Sequence, residues 1–143
     1  ERDEDLVIVG RTDARYTHGL DEAIERGHGY EDAGADVVFV EAPEDRSEME
    51  RIASAFDAPT LANMVEGGKT PYLPPEELEA IGFDFVVYPV STLFAAVQGM
   101  SDALGTLHDQ GTCDPDQTVS FDEFEDVIGT TAFEQLAAEY AGE

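Results

Sequence analysis

Three polar residues stand at the ends of three apolar runs. Residues 7–11 read VIVGR, residues 36–41 read DVVFVE and residues 60–65 read TLANMV, so Arg11, Glu41 and Asn63 each follow a strand-like segment. A guanidinium binds a carboxylate through two parallel charge-assisted hydrogen bonds. An asparagine amide both donates and accepts, and so suits a carboxylate or a hydroxyl. Met64 and Val65 follow Asn63 and extend the candidate binding segment. Competing readings stay open at each position: Arg11 as an ion pair with Asp13 or Glu41, Glu41 as a solvated loop acid, Asn63 as a turn former. Thr12 and Asp13 are placed to orient Arg11, and Glu66 to reach the same region from its loop. His18, His28 and His108 lack ligand spacing. Gly67-Gly68 reads as a flexible turn ahead of Lys69, not a nucleotide loop.

These residues need a scaffold. Leu6–Gly10 is a continuous apolar run, fit for a strand buried on both faces, and a loop follows it. Leu20–Ala33 is predicted helical, with Leu20, Ala23, Ile24 and Tyr30 on one face and Gly34 past its end. Asp36–Val40 is the second strand. Ser47 is predicted to cap a helix to Phe56, with Glu50 completing a capping box. Pro59–Asn63 is the third strand. Pro74-Pro75-Glu76-Glu77 opens a helix that Gly82 closes, Phe85–Tyr88 is the fourth strand, and Ser91–Gln110 a long helix. Such alternation implies parallel strands with right-handed crossovers. Four βα units are half of an eightfold barrel, whose chemistry lies at the carboxyl ends of its strands.

The predicted fold is therefore α/β: the carboxyl-terminal half of a (β/α)8 barrel over residues 1–110, then a helical extension over 111–143. In the extension, Phe121–Gly129 and Phe133–Tyr140 read as docking helices, their aromatics Phe121, Phe124, Phe133 and Tyr140 needing a surface to cover. The chain opens without Met, in a charged stretch that runs into a strand. The expectation is the second half of a longer protein, or a stand-alone relic of one.

Composition excludes several classes. Acidic residues number 33 against 7 basic ones, for a formal charge of −26. Nucleic-acid binding needs clustered Lys and Arg, and there is no basic patch. Hydrophobic residues make up 42% of the 143 positions, too many for a disordered acidic tail. The acids are scattered, which fits a folded protein adapted to a salt-rich cytoplasm. Cys113 is alone, so neither a disulfide framework nor a cysteine zinc motif exists. No signal peptide is expected from this sequence, and no apolar run in it reaches transmembrane length. The expected location is cytoplasmic.

Several short motifs resemble the isocitrate lyase and phosphoenolpyruvate mutase superfamily, in its methylisocitrate lyase and carboxyvinyl-carboxyphosphonate phosphorylmutase-like branch. They are Arg11-Thr12-Asp13-Ala14, Gly19 to Arg26, Ala33-Gly34-Ala35-Asp36, Glu41-Ala42, Leu61-Ala62-Asn63-Met64, Gly68-Lys69-Thr70-Pro71 and Tyr88-Pro89-Val90-Ser91. The resemblance implies a Mg-dependent barrel that makes or breaks C–C or P–C bonds in a small carboxylic acid. It makes Arg11 and Glu41 catalytic candidates, and Arg11, Asn63, Met64 and Val65 substrate-binding ones. It implies a homo-oligomer, a tetramer with a swapped C-terminal helix like residues 121–140. The family's metal-binding acids and cysteine-bearing lid lie upstream of these motifs, so this chain alone is expected to be inactive. Phe94 stands where the methylisocitrate lyase branch carries an arginine, and residues 119–122, VSFD, replace a basic position. Both departures favour a less charged acid than a tricarboxylate. The alternative is a non-catalytic half-barrel kept as a binding or assembly module.

Overall fold

A computed structural model describes residues 6–141. The chain divides into two compact units, residues 1–94 and 95–143. In the first, strands β1 (Val9–Thr12), β2 (Val37–Val40), β3 (Leu61–Asn63) and β4 (Phe85–Val87) alternate with helices α1 (Ala14–His18), α2 (Leu20–Asp32), α3 (Arg46–Ala53) and α4 (Pro75–Ile81). Helix α5 (Ser91–Gln110) begins there and runs into the second unit. That unit also holds a 3-10 turn at Pro115–Gln117, α6 (Phe121–Ile128) and α7 (Thr130–Tyr140).

All the strand pairings are parallel, as the alternation predicts. Arg11 lies beside Phe39 in the β1–β2 pair, and Asn63 beside Val87 in the β3–β4 pair. A parallel bridge between Val38 and Thr60 links the two pairs in the order β1-β2-β3-β4. Two aspartates set the register at the amino ends. Asp36 accepts from Ile8 N at 2.8 Å and Asp84 from Thr60 N at 2.7 Å, so each strand start is tied to its neighbour.

Successive strand residues face opposite sides. Val38, Val40, Ala62 and Val86 face the helices and pack on Ala23 of α2, Met49 and Ile52 of α3 and Leu78 of α4. Gly27 lets α2 approach closely, because a Cβ there would meet the Phe56 ring at 2.5 Å. The other face carries Val9, Phe85 and Val87, all exposed, and ends in Arg11, Glu41 and Asn63. It is the face that a barrel turns inward.

The structure corrects three local expectations. Residues 14–18 form α1 where a loop is predicted. Thr12 Oγ1 accepts from Ala14 N at 3.1 Å at its start, and Gly19, at φ +94°, ends it. Helix α3 is capped by Asp45, not Ser47, through a 2.9 Å bond from Glu48 N. That start frees Glu48 to bind Arg15 of α1 through two bonds of 2.8 Å. Strand β1 begins at Val9, three residues after the predicted start. Gly34 and Gly82 do end their helices, at φ +92° and +112°.

The Arg15–Glu48 pair is mostly enclosed, with side chains 17% and 19% exposed. Its hydrogen bonds hold the Glu48 carboxyl below the usual carboxylate range. A folded pKa below the unfolded one stabilises at neutral pH, and the benefit is lost as pH falls through the folded value. Glu48→Gln should therefore lower stability at pH 7 by about 1 kcal/mol. The thermal midpoints of parent and variant should converge on acidification toward about pH 3, below the unfolded carboxylate value. Midpoints that stay a constant interval apart would show that the pair contributes nothing.

Salt should act more broadly. Each described arginine has an acidic partner, yet acids outnumber basic residues 33 to 7. Raising KCl from roughly 0.1 M to 1 M shortens the screening length from about 10 Å to about 3 Å. Repulsion among acids outnumbers the pairs that salt weakens, so the thermal midpoint should rise. A flat or falling midpoint would remove the argument for adaptation to salt.

Candidate active site

Arg11, Glu41 and Asn63 meet at the carboxyl ends of three consecutive strands. The Arg11 guanidinium lies over Phe39, its carbon 4.8 Å from the ring centroid. Its Nε and Nη2 donate to the two Asp13 oxygens at 3.1 and 3.0 Å. Nη2 also lies 3.1 Å from Glu41 Oε2. Asn63 Nδ2 donates to the same carboxylate, at 3.2 Å to Oε2 and 3.4 Å to Oε1. Glu41 is thus held from two sides and is the most enclosed of the three charges, 21% exposed against 48% for Arg11 and 64% for Asp13.

Both ion pairs weighed for Arg11 form, and they decide which edge of its fork remains. The hydrogen bond to Asp13 is the main reason the guanidinium is held more firmly protonated than usual, and the charge of Glu41 adds to it. The same bond depresses the Asp13 carboxyl. Nη1 has no hydrogen bond among the described residues, so an incoming carboxylate has that nitrogen. The Asn63 Oδ1 atom is buried and meets no donor among the described residues. A lost hydrogen bond of that kind costs about 1–3 kcal/mol.

A cleft of about 470 Å³ opens beside the cluster, with Asp13, Glu41, Ala42, Asn63 and Val65 along one wall. Ala42 sits at φ +60°, a conformation that costs a residue with a Cβ roughly 1–2 kcal/mol. The predicted site residues therefore separate. Glu41, Asn63 and Val65 reach the cleft and Arg11 bonds two of its carboxylates. Met64 turns into the core at 1% exposure, and its Sδ accepts from Leu73 N at 3.5 Å. Glu66 accepts from Ser91 Oγ and, at 3.3 Å, from Tyr72 Oη. The Ser91 bond is the chief reason its carboxyl is depressed.

Among the described residues no group of three His, Cys, Asp or Glu side chains could hold a metal ion. Asp13 and Glu41 are both committed to Arg11. No helix among them is long and apolar enough to cross a membrane.

The phosphoenolpyruvate phosphomutase family matches residues 1–108. The chain belongs to this family, in the PEP mutase/isocitrate lyase superfamily. Among its relatives, the 2,3-dimethylmalate lyase of Eubacterium barkeri is 44% identical over 139 residues, 96% of this chain and 48% of the relative. A crystal structure of a 2,3-dimethylmalate lyase superposes with a TM-score of 0.86 at 32% identity, covering 94% of this chain and 48% of that one. An oxaloacetate acetylhydrolase in complex with the inhibitor 3,3-difluorooxalacetate gives a TM-score of 0.88 at 29% identity, over 96% of this chain and 46% of that one. This mutase-family chain thus spans about half the length of the relatives it matches. Sequence reasoning missed Tyr16, Thr17 and Lys69, which also line the cleft. Tyr16 and Thr17 lie in α1, the helix taken for a loop, and nothing local ties them to Lys69.

Proposed function

We propose that this chain supplies the carboxylate-gripping half of a lyase or mutase that cleaves or rearranges a C–C or P–C bond in a small carboxylic acid. The observation that carries the reading is the joining of Arg11, Glu41 and Asn63 at three consecutive strand ends beside a cleft of small-molecule size. Arg11 holds one substrate carboxylate through Nη1, while Nε and Nη2 stay on Asp13 and Glu41. Asn63, whose Nδ2 already meets Glu41, offers its amide to a substrate hydroxyl. Glu41, fixed by Arg11 and Asn63, is placed to exchange a proton with that hydroxyl.

Magnesium, which the family resemblance implies, has no donor set among the described residues. We place its ligands on the part of the relatives' length that this chain does not span, and no step here passes through it. A soluble tetramer in the cytoplasm is the assembly and location that the resemblance and the composition favour.

The test is turnover by the full-length protein on a panel of small 2-oxo and 2-hydroxy acids, with the cleaved fragments identified. Cleavage of one panel member, lost in Glu41→Gln, is the expected result. No turnover and no binding of any panel acid would leave the alternative, a non-catalytic half-barrel.

A further inference from the structure

Lys69 is the one lysine in the chain, and among the described residues its ammonium is the cation no acid has claimed. Among the described residues Arg11 pairs with Asp13 and Glu41, Arg15 with Glu44 and Glu48, and Arg26 with Glu22. Arg46 pairs with Glu50 and Glu77, and Arg51 with Asp21. Lys69 alone of the described Lys and Arg residues has no carboxylate within ion-pair distance. In a chain with 33 acidic residues, a cation without an acid stands out. Its Nζ lies instead 3.9 Å from the centroid of the Tyr16 ring.

That position is on the cleft. Lys69 and Thr70 of the β3–α4 loop, with Tyr16 and Thr17 of α1, line it together with Glu41 and Asn63 from the strand ends. A ring face attracts a cation without neutralising it. The Tyr16 contact therefore steadies the ammonium over the cleft and leaves its three donors available. Arg26 also borders the cleft, but its Nε donates to Glu22 at 2.8 Å, one turn back on α2. A volume of about 470 Å³ is at the small end of ligand pockets, and it has room for a small acid between Asn63 and Lys69, both of which line it.

We propose that Lys69 is the second anion-binding residue of this site and gives it preference for acids that carry a second carboxylate. The proposal rests on the reading of the cleft as a small-acid site. One acidic end goes to Arg11 and Asn63, and the other to Lys69 and the Thr70 hydroxyl. Tyr16 is a positioning residue that acts through Lys69.

Calorimetric titration of the full-length protein tests it with a matched pair of ligands: malate, and the same acid with its distal carboxylate as an amide. The parent protein should prefer the diacid by at least about tenfold, roughly 1.4 kcal/mol. Lys69→Ala should weaken diacid binding about tenfold more than amide binding, bringing the ratio near one. Lys69→Arg should restore most of the preference, which a role in loop folding alone would not produce. Tyr16→Leu should lower the ratio in part, and molar salt should shrink it in the parent. An unchanged ratio in Lys69→Ala overturns the proposal. Equal binding of both acids, abolished by Arg11→Ala, also overturns it while leaving the small-acid reading intact. Binding of neither acid overturns both.

Discussion

Replacing Arg11 with alanine should lower kcat/KM of the full-length protein by at least about a hundredfold, near 2.7 kcal/mol. The residue has two tasks in the proposed site. Its guanidinium grips the substrate carboxylate, and its Nη2 holds Glu41 at 3.1 Å. The loss should thus fall on kcat as well as KM, because Glu41 would be left with Asn63 as its holder on this side. Arg11→Lys should also be damaging. A lysine keeps the charge but cannot contact Asp13, Glu41 and a ligand in one plane. Asn63→Ala removes a neutral hydrogen bond and should cost less. Steady-state kinetics on the panel acid that turns over would check the order. If Arg11→Ala keeps near-full activity with its fold intact, the strand-end cluster is not where substrate binds.

The cluster was legible in the sequence because each member closes an apolar run. A buried strand needs such a run, and the first polar residue after it falls at the strand's carboxyl end. Gly34 and Gly82 marked helix ends for a similar reason, since both take a left-handed backbone that favours glycine. What stayed hidden depends on contacts distant in sequence. The five-residue helix α1 is too short to show a period, and it is braced by Arg15 binding Glu48, 33 positions away. Asp45 and Ser47 are both good caps, two residues apart. The Arg15 bond, not the local sequence, favours the earlier start. Ala42 gives no compositional hint of its strained backbone. Lys69 reads as a loop residue until α1 brings Tyr16 beneath it. The bonds from Arg11 to Asp13 and Glu41 show a further limit. Ion pairing and substrate binding look like rivals in the sequence, whereas in the fold the pairs take Nε and Nη2 and leave Nη1.

Met64 offers the sharpest separation between the two kinds of residue at the end of β3. It adjoins Asn63 in sequence and looks like a candidate for substrate contact, but alternation turns it to the helix side. There it is 1% exposed and packs in the core cluster that includes Val40, Met49, Leu78 and Phe83. Met49 and Leu78 beside it are themselves 0% and 2% exposed, so the packing has little slack. Truncating a buried methionine removes its transfer energy and leaves a cavity, at a typical cost of about 2–5 kcal/mol. Met64→Ala should therefore lower the thermal midpoint by roughly 10 °C for about 3 kcal/mol in a domain of this size. In the fraction that stays folded, KM for the small acid should change less than about twofold, since a core residue adds no binding energy to lose. Val65→Ala should do the reverse, because Val65 lines the cleft and is only half-buried. It should weaken substrate binding with little effect on the midpoint. Melting curves and kinetics measured on the same two preparations decide the matter. A stable Met64→Ala with a raised KM would mean that the methionine faces the ligand and that the strand register drawn here is shifted by one residue.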